Sequence, residues 1–166
     1  VQLQVHSTRR TGWSVANGQI DLAIIGGQLP SDLENLLEII PYSTDELALV
    51  LPTKHPLANK KELMKEDLYK MNFVTLDAQS TTRKVVDKLL KDSGLDIQRL
   101  KIEMELNSLE AIKNAVQSGL GAAFLPVVSI ERELAGGSIH KPFITDLEVK
   151  RELKLITNPS RYTSRA

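Results

Sequence analysis

The stretch Phe73–Leu90, FVTLDAQSTTRKVVDKLL, holds a strand and a helix in immediate succession. The apolar run Phe73–Leu76 gives way through the hydroxyl cluster Ser80, Thr81 and Thr82 to an amphipathic helix. That order recurs outward in both directions. On the N-terminal side, Val1–Val5 alternates as a strand, Thr8–Asn17 reads as a helix closed by Gly18, and Leu22–Ile25 is a short run expected to be buried on both faces. Strands near Leu37–Tyr42 and Glu46–Leu51 and a short helix at Leu63–Tyr69 follow. Beyond Gly94 come strand Ile102–Leu106, helix Ser108–Ser118, strand Ala122–Leu125 and helix Val127–Leu134. Ile139–Pro142 and Glu152–Thr157 are expected to close the fold as strands. Strands alternating with helices of about ten residues predict an α/β architecture built on parallel sheet.

The composition narrows the function. With 166 residues the chain can bury one sizeable domain or two small lobes. Lys and Arg number 21 and Asp and Glu number 21, a formal net charge of zero, which argues against a dedicated nucleic-acid surface. The absence of cysteine removes thiol catalysis, disulfides and cysteine metal sites. No apolar run approaches the ~20 residues of a membrane span, and no signal peptide is visible, so an intracellular location is expected. Val1–Val5 reads as a strand already under way, so the chain is expected to be part of a longer protein.

Two strand-to-helix junctions break an ordinary rule. Acids are favoured in the first turn of a helix by a few tenths to about 1 kcal/mol. After Ser80 that turn instead carries Arg83 and Lys84, and after Ser7 it carries Arg9 and Arg10. A third start, at Asn107, obeys the rule: Asn107 as N-cap with Glu110 three residues on reads as a capping box. Two explanations are open for the exceptions. Ser and Thr there are ordinary caps and the cations are solvated. Alternatively an external anion takes the place of the missing acid, met by free N–H groups, hydroxyls and an arginine fork. Gly26-Gly27, after a strand end, and Gly119-Leu120-Gly121, before AAFLP, fit either plain turns or a ligand near strand termini.

Catalysis finds little footing. His6, His55 and His140 are scattered without metal-ligand spacing, and His55 in KHPLA reads as part of a turn. Asp45 and Glu46 are neighbours, but adjacent strand residues point to opposite faces. No nucleophile elbow or phosphate-loop glycine pattern occurs. No catalytic residue, metal or cofactor is expected.

The segments VANGQIDLAIIGG, DELALVLPTKHPLA, TLDAQSTTRKVVDKLL and NSLEAIKNAVQSGLGAAFLP resemble the effector-binding domain of LysR-type transcriptional regulators. The resemblance covers nearly the whole chain. It implies two Rossmann-like α/β subdomains joined by two crossing strands, as in type II periplasmic binding proteins. Their bounds would be 1–50 with 155–166, and 51–154, with crossings near Ala48–Pro52 and Lys154–Thr157. The first subdomain would be incomplete here, and a winged helix-turn-helix would precede it and read promoter DNA. The implied effector is a small anionic metabolite (a phosphorylated sugar or acid, or 2-oxoglutarate) in the cleft between subdomains. Matched position by position, its contacts would be Thr8, Gly26, Gly27, Ser80, Thr81, Thr82, Arg83, Gly121, Ala122 and Ala123. QSTTR stands here where many relatives carry GSGTR. The resemblance further implies a homodimer or homotetramer in the bacterial cytoplasm or plastid stroma. Two rivals share the architecture. A solute-binding protein would carry a signal peptide upstream, and an enzyme would need a clustered acid–base or cofactor-lysine constellation, which is not found.

Overall fold

The structure is a computed structural model and describes residues 2–161. In chain order the elements are α1 (Thr8–Ala16), β1 (Leu22–Ile25), α2 (Ser31–Glu34), β2 (Glu38–Pro52), β3 (Glu62–Met64), β4 (Asn72–Leu76) and α3 (Thr81–Asp92). They continue with β5 (Lys101–Leu106), α4 (Leu109–Gln117), β6 (Ala123–Pro126), α5 (Glu131–Ala135), β7 (Ile139–His140), β8 (Phe143–Thr145) and β9 (Lys150–Thr157). The chain divides into two compact units, Val1–Asp45 with Arg151–Ala166, and Glu46–Lys150. It passes between them twice, inside β2 and near the start of β9. These passages lie a few residues before the crossings that the family pattern implies.

Unit 1 is a sheet with helices on one face. Ile24 pairs with Leu155 and Leu22 with Thr157, so β1 and β9 run antiparallel. Val15 of α1 and Leu29, Leu33 and Leu37 around α2 pack with Ile25, Ile39 and Ile156. The described residues leave the opposite face uncovered: Leu22 and Ile24 are exposed and only Ile25 of β1 is buried. The expectation of a strand buried on both faces is therefore corrected. So is the strand at Val1–Val5: residues 2–7 form none, and Leu3 and Val5 are exposed.

Unit 2 has both faces of its sheet covered. β4 and β5 are parallel, and β6 continues that sense through a parallel bridge between Phe73 and Ala122. β2 then pairs antiparallel with β6, Leu47 opposite Pro126, and with β7, Leu51 opposite His140. The sheet is mixed where the sequence pattern predicts parallel. Successive residues alternate between two cores: Phe73, Leu49 and Ala122 join Val86 and Leu90 of α3, while Val74, Val50 and Ala123 join Ile112 and Val116 of α4. Phe73 and Phe124 stack with ring centroids 6.2 Å apart.

Several boundaries differ from the sequence reading. The two strands expected between Leu37 and Leu51 are one strand of 15 residues, exposed up to Thr44 apart from partly buried Ile39, and buried beyond Glu46. The short helix expected at Leu63–Tyr69 is a 3-10 helix over Lys65–Lys70, entered from β3 and tied by Asp67, which accepts from the Met64 N–H and Lys70 Nζ. Leu63 meanwhile pairs with Ile144 of β8. His55 sits in a turn as expected, and its ring Nδ1 accepts from the Leu57 N–H at 3.2 Å.

Candidate functional site

The parallel strands β4 and β5 end side by side, tied where the Asp77 N–H donates to the Leu106 carbonyl at 3.0 Å. Each leads directly into a helix, so the N-termini of α3 and α4 open beyond the carboxyl ends of neighbouring strands. Open α/β sheets place ligands at that edge. The Asp77–Ser80 turn is shaped by Asp77, whose Oδ1 accepts from Gln79 N at 2.9 Å and whose carbonyl accepts from Ser80 N at 3.0 Å. Ser80 caps α3 by accepting from Arg83 N at 3.5 Å, and Ser108 caps α4 by accepting from Ala111 N at 3.3 Å. The N-cap of α4 is thus Ser108 and not Asn107. Glu110 consequently falls at the second helical position and turns to Lys113 at 2.7 Å instead of closing a capping box. Thr81 and Thr82 are half-buried and engaged within the fold.

Arg83 does not reach outward. Its Nε donates to both carboxylate oxygens of Asp87 at 2.9 Å, and Nη1 donates to the Leu76 carbonyl at 3.2 Å and to Thr75 Oγ1. Glu105 Oε1 lies 3.4 Å from the same nitrogen, and the side chain is 16 % exposed. The cation in this first turn is therefore neutralised one turn along its own helix. Lys84 is exposed. A cavity of about 30 Å³ beneath Arg83 is mostly apolar and holds at most a water or two.

Gly121, Ala122 and Ala123 lie elsewhere. They open β6 alongside the first residues of β4, where Ala122 exchanges backbone hydrogen bonds of 2.8 Å with Asn72 and Val74. All three are buried, and a Cβ on Gly121 would stand 2.7 Å from the Asn72 carbonyl oxygen. The structure gives them a packing role: glycine and alanine let the strand backbones approach, and the segment does not meet Ser80–Arg83.

In unit 1, Ser7 caps α1 by accepting from Arg10 N at 3.5 Å, while Thr8 is buried and engaged and Arg9 and Arg10 are exposed. Gly26 and Gly27 follow β1 half-buried. A Cβ on Gly26 would lie 3.2 Å from Arg151 Nε, so the glycine leaves space for that guanidinium. Arg151 grips buried Asp45 through Nε at 2.9 Å and Nη2 at 2.6 Å. Its neighbour Glu46 faces Lys141 at 2.7 Å, which agrees with the opposite-face reading of this acidic pair. Sequence reasoning missed the Asp45–Arg151 pair because its members lie 106 residues apart and no local pattern marks them.

Among the described residues, no group of three or more His, Asp or Glu side chains is placed to hold a metal ion. No helix among them is long and apolar enough to cross a membrane.

Comparison with known proteins agrees with this architecture. A probable RuBisCO transcriptional regulator from Synechocystis sp. PCC 6803 is 60% identical over 166 residues, which cover 100% of this chain and 48% of that protein. A regulator of the same description from Trichormus variabilis is 61% identical over 166 residues, covering 100% of this chain and 49% of its own length. The chain thus spans about half the length of these relatives. Among solved structures, the regulatory domain of Synechocystis PCC6803 CcmR in complex with 2-PG superposes with a TM-score of 0.83 at 25% identity, covering 99% of this chain and 76% of that one. The family model of the LysR substrate binding domain matches residues 1–166, and the chain belongs to that family.

Proposed function

We propose that this chain is the effector-sensing part of a transcriptional regulator of carbon-fixation (Rubisco) genes, and not an enzyme. The observation that carries the regulatory reading is identity of about three residues in five along the whole chain to proteins described as probable RuBisCO transcriptional regulators. The ligand class rests on the helix N-termini gathered at the ends of β4 and β5. There, the positive ends of two helix dipoles and the hydroxyls beside them favour an anion. Thr8, Gly26, Gly27, Ser80, Thr81, Thr82, Arg83, Gly121, Ala122 and Ala123 are the positions of the effector site proposed from the sequence, and the helix start at Ser108 is added here as a candidate. The 2-PG held by the CcmR domain supports a small phosphorylated acid. Phosphorylated sugars and 2-oxoglutarate share the same charged-end chemistry. DNA contact is assigned to a winged helix-turn-helix outside this chain, acting in a homodimer or homotetramer in the bacterial cytoplasm or the plastid stroma. Regulation requires that the ligand bind one arrangement of the protein better than another; equal affinity for both would shift nothing.

Calorimetry on the full-length protein tests this with ribulose bisphosphate, phosphoglycolate and 2-oxoglutarate as titrants. Saturable binding of at least one is expected, weakened by roughly tenfold when Ser80 and Thr81 are both replaced by Ala, since a lost hydrogen bond to a charged group costs about 1.5–3 kcal/mol. Absence of binding by all three, or binding indifferent to the double substitution, overturns the assignment.

A further inference from the structure

We propose that Arg83 is a positioning residue: it fixes the loop and first turn that present Ser80–Thr82 to the anion, and does not itself touch the ligand. This rests on the anion-binding reading of the junction and deepens it. The guanidinium joins three elements. Through Nε it holds Asp87, one turn along α3. Through Nη1 it holds the Leu76 carbonyl and Thr75 Oγ1, the last two residues of β4, and it lies within 3.4 Å of Glu105 on β5. Leu76 is the residue from which the Asp77–Ser80 turn departs, so Arg83 anchors that turn at its strand end while Ser80 anchors it at the helix end.

Electrostatics separates this role from direct contact. A cation that greets an anion is held with its charge available; Arg83 spends its charge on the carboxylate of Asp87, whose two oxygens share its Nε–H at 2.9 Å. Affinity at the junction then comes from main-chain N–H groups and hydroxyls, whose directions depend on the bracket. The two roles predict opposite signs for one substitution. If Arg83 met the ligand, Asp87→Ala would release its charge, remove a competing carboxylate and tighten binding. If Arg83 positions the loop, Asp87→Ala loosens it and weakens binding.

The experiment is calorimetry with phosphoglycolate, ribulose bisphosphate and 2-oxoglutarate on the full-length protein and on Arg83→Ala, Arg83→Lys, Asp87→Ala and the Arg83→Ala/Asp87→Ala pair. Amide hydrogen exchange across residues 77–84 is followed without ligand. We expect Arg83→Ala and Asp87→Ala each to weaken binding by about tenfold, and the double variant to be no weaker than Arg83→Ala alone. Lysine should fail to restore affinity, because a single ammonium cannot span Asp87 and Leu76. Exchange over residues 77–84 should quicken in every variant while the rest of unit 2 keeps its protection, which also shows that the variants fold. Should a substitution lower protection throughout, Thr75→Val removes one acceptor of the bracket and is read in the same way. Asp87→Ala that binds as tightly as the parent, or more tightly, overturns the proposal. So does Arg83→Ala that weakens binding while exchange over residues 77–84 is unchanged. A parent protein that binds no titrant marks the failure of the functional reading, distinct from any of these variant results.

Discussion

At Gly121 a methyl group has nowhere to go. Its Cβ would stand 2.7 Å from the Asn72 carbonyl oxygen and 3.3 Å from Val74 Cγ2, and the nearer atom is strand backbone that cannot rotate away. Gly121→Ala is therefore expected to destabilise the protein by roughly 1–3 kcal/mol, the range for overpacking, as measured by urea unfolding. A second residue-scale test concerns Lys113, which links Glu110 at 2.7 Å and Glu133 at 2.9 Å and so joins α4 to α5. The hydrogen bond from Lys113 holds the Glu133 carboxyl below its usual range, and those that Lys113 donates to Glu110 and Glu133 hold its ammonium above its own. Both shifts favour the ionised forms on folding. The Glu133 contribution is full above its unfolded value of about 4.3 and is lost as pH falls through the lower folded value. That of Lys113 is full below about pH 10.4 and is lost as pH rises through the higher folded value. Glu133→Gln should make the acid limb of the stability–pH curve shallower without abolishing it, because Asp67, likewise lowered by Lys70, titrates there too. Lys113→Met should cost more than Glu110→Gln. It strands Glu133, whose Oε2 is already buried without a hydrogen-bond partner, whereas Glu110 is 75% exposed.

Helix ends supply the test at the scale of the element. α4 finishes with Gly119 at φ 84, its N–H bonded to the Val116 carbonyl at 2.9 Å and the Leu120 N–H to Ala115 at 3.0 Å. Nothing lies within 4 Å of a Cβ placed on Gly119, so a side chain there meets conformational cost and no clash. Gly119→Ala should lower stability by about 1–2 kcal/mol, and Gly119→Asn by less, since Asn tolerates the left-handed region. Thermal melts of the two variants check the order. Elements of this kind were legible in the sequence: α1, α3, α4, β4, β5 and β6 carry their own caps, periodicity and apolar runs, and the structure moves their ends by a residue or so. What could not be read depends on partners distant in sequence. β8 exists because Ile144 meets Leu63, and alternation alone does not make a strand of the described residues of Val1–Val5. The candidate site divides in the same way. Hydroxyls at the α3 start are visible locally, but the inward turn of Arg83 depends on Asp87 and Leu76 together, and Ser108 gains interest only once β5 is seen beside β4.

For the whole molecule the telling feature is the side of the unit 1 sheet that the described residues leave uncovered. Ile24 faces Leu155 across the β1–β9 pair, and antiparallel partners project to the same side. Ile39 of β2 packs with α1 and α2, so Ile40 and Tyr42 project the other way and join them. Leu22, Ile24, Ile40 and Tyr42 are 52%, 50%, 44% and 60% exposed, a concentration of large apolar side chains on one side of a single sheet. Scattered surface hydrophobics need no explanation, but a contiguous group on a flat strand surface draws a partner. The 166-residue chain on its own is therefore expected to self-associate, with a sedimentation coefficient that rises with concentration. Ile24→Lys combined with Tyr42→Lys puts two like charges into that surface, disturbs none of the buried packing around Val15 and Ile156, and should return the chain to monomer. Self-association that survives the double substitution would place the contact on another surface. A parent chain that stays monomeric at high concentration would show that four exposed side chains on this face are too little to hold two copies together.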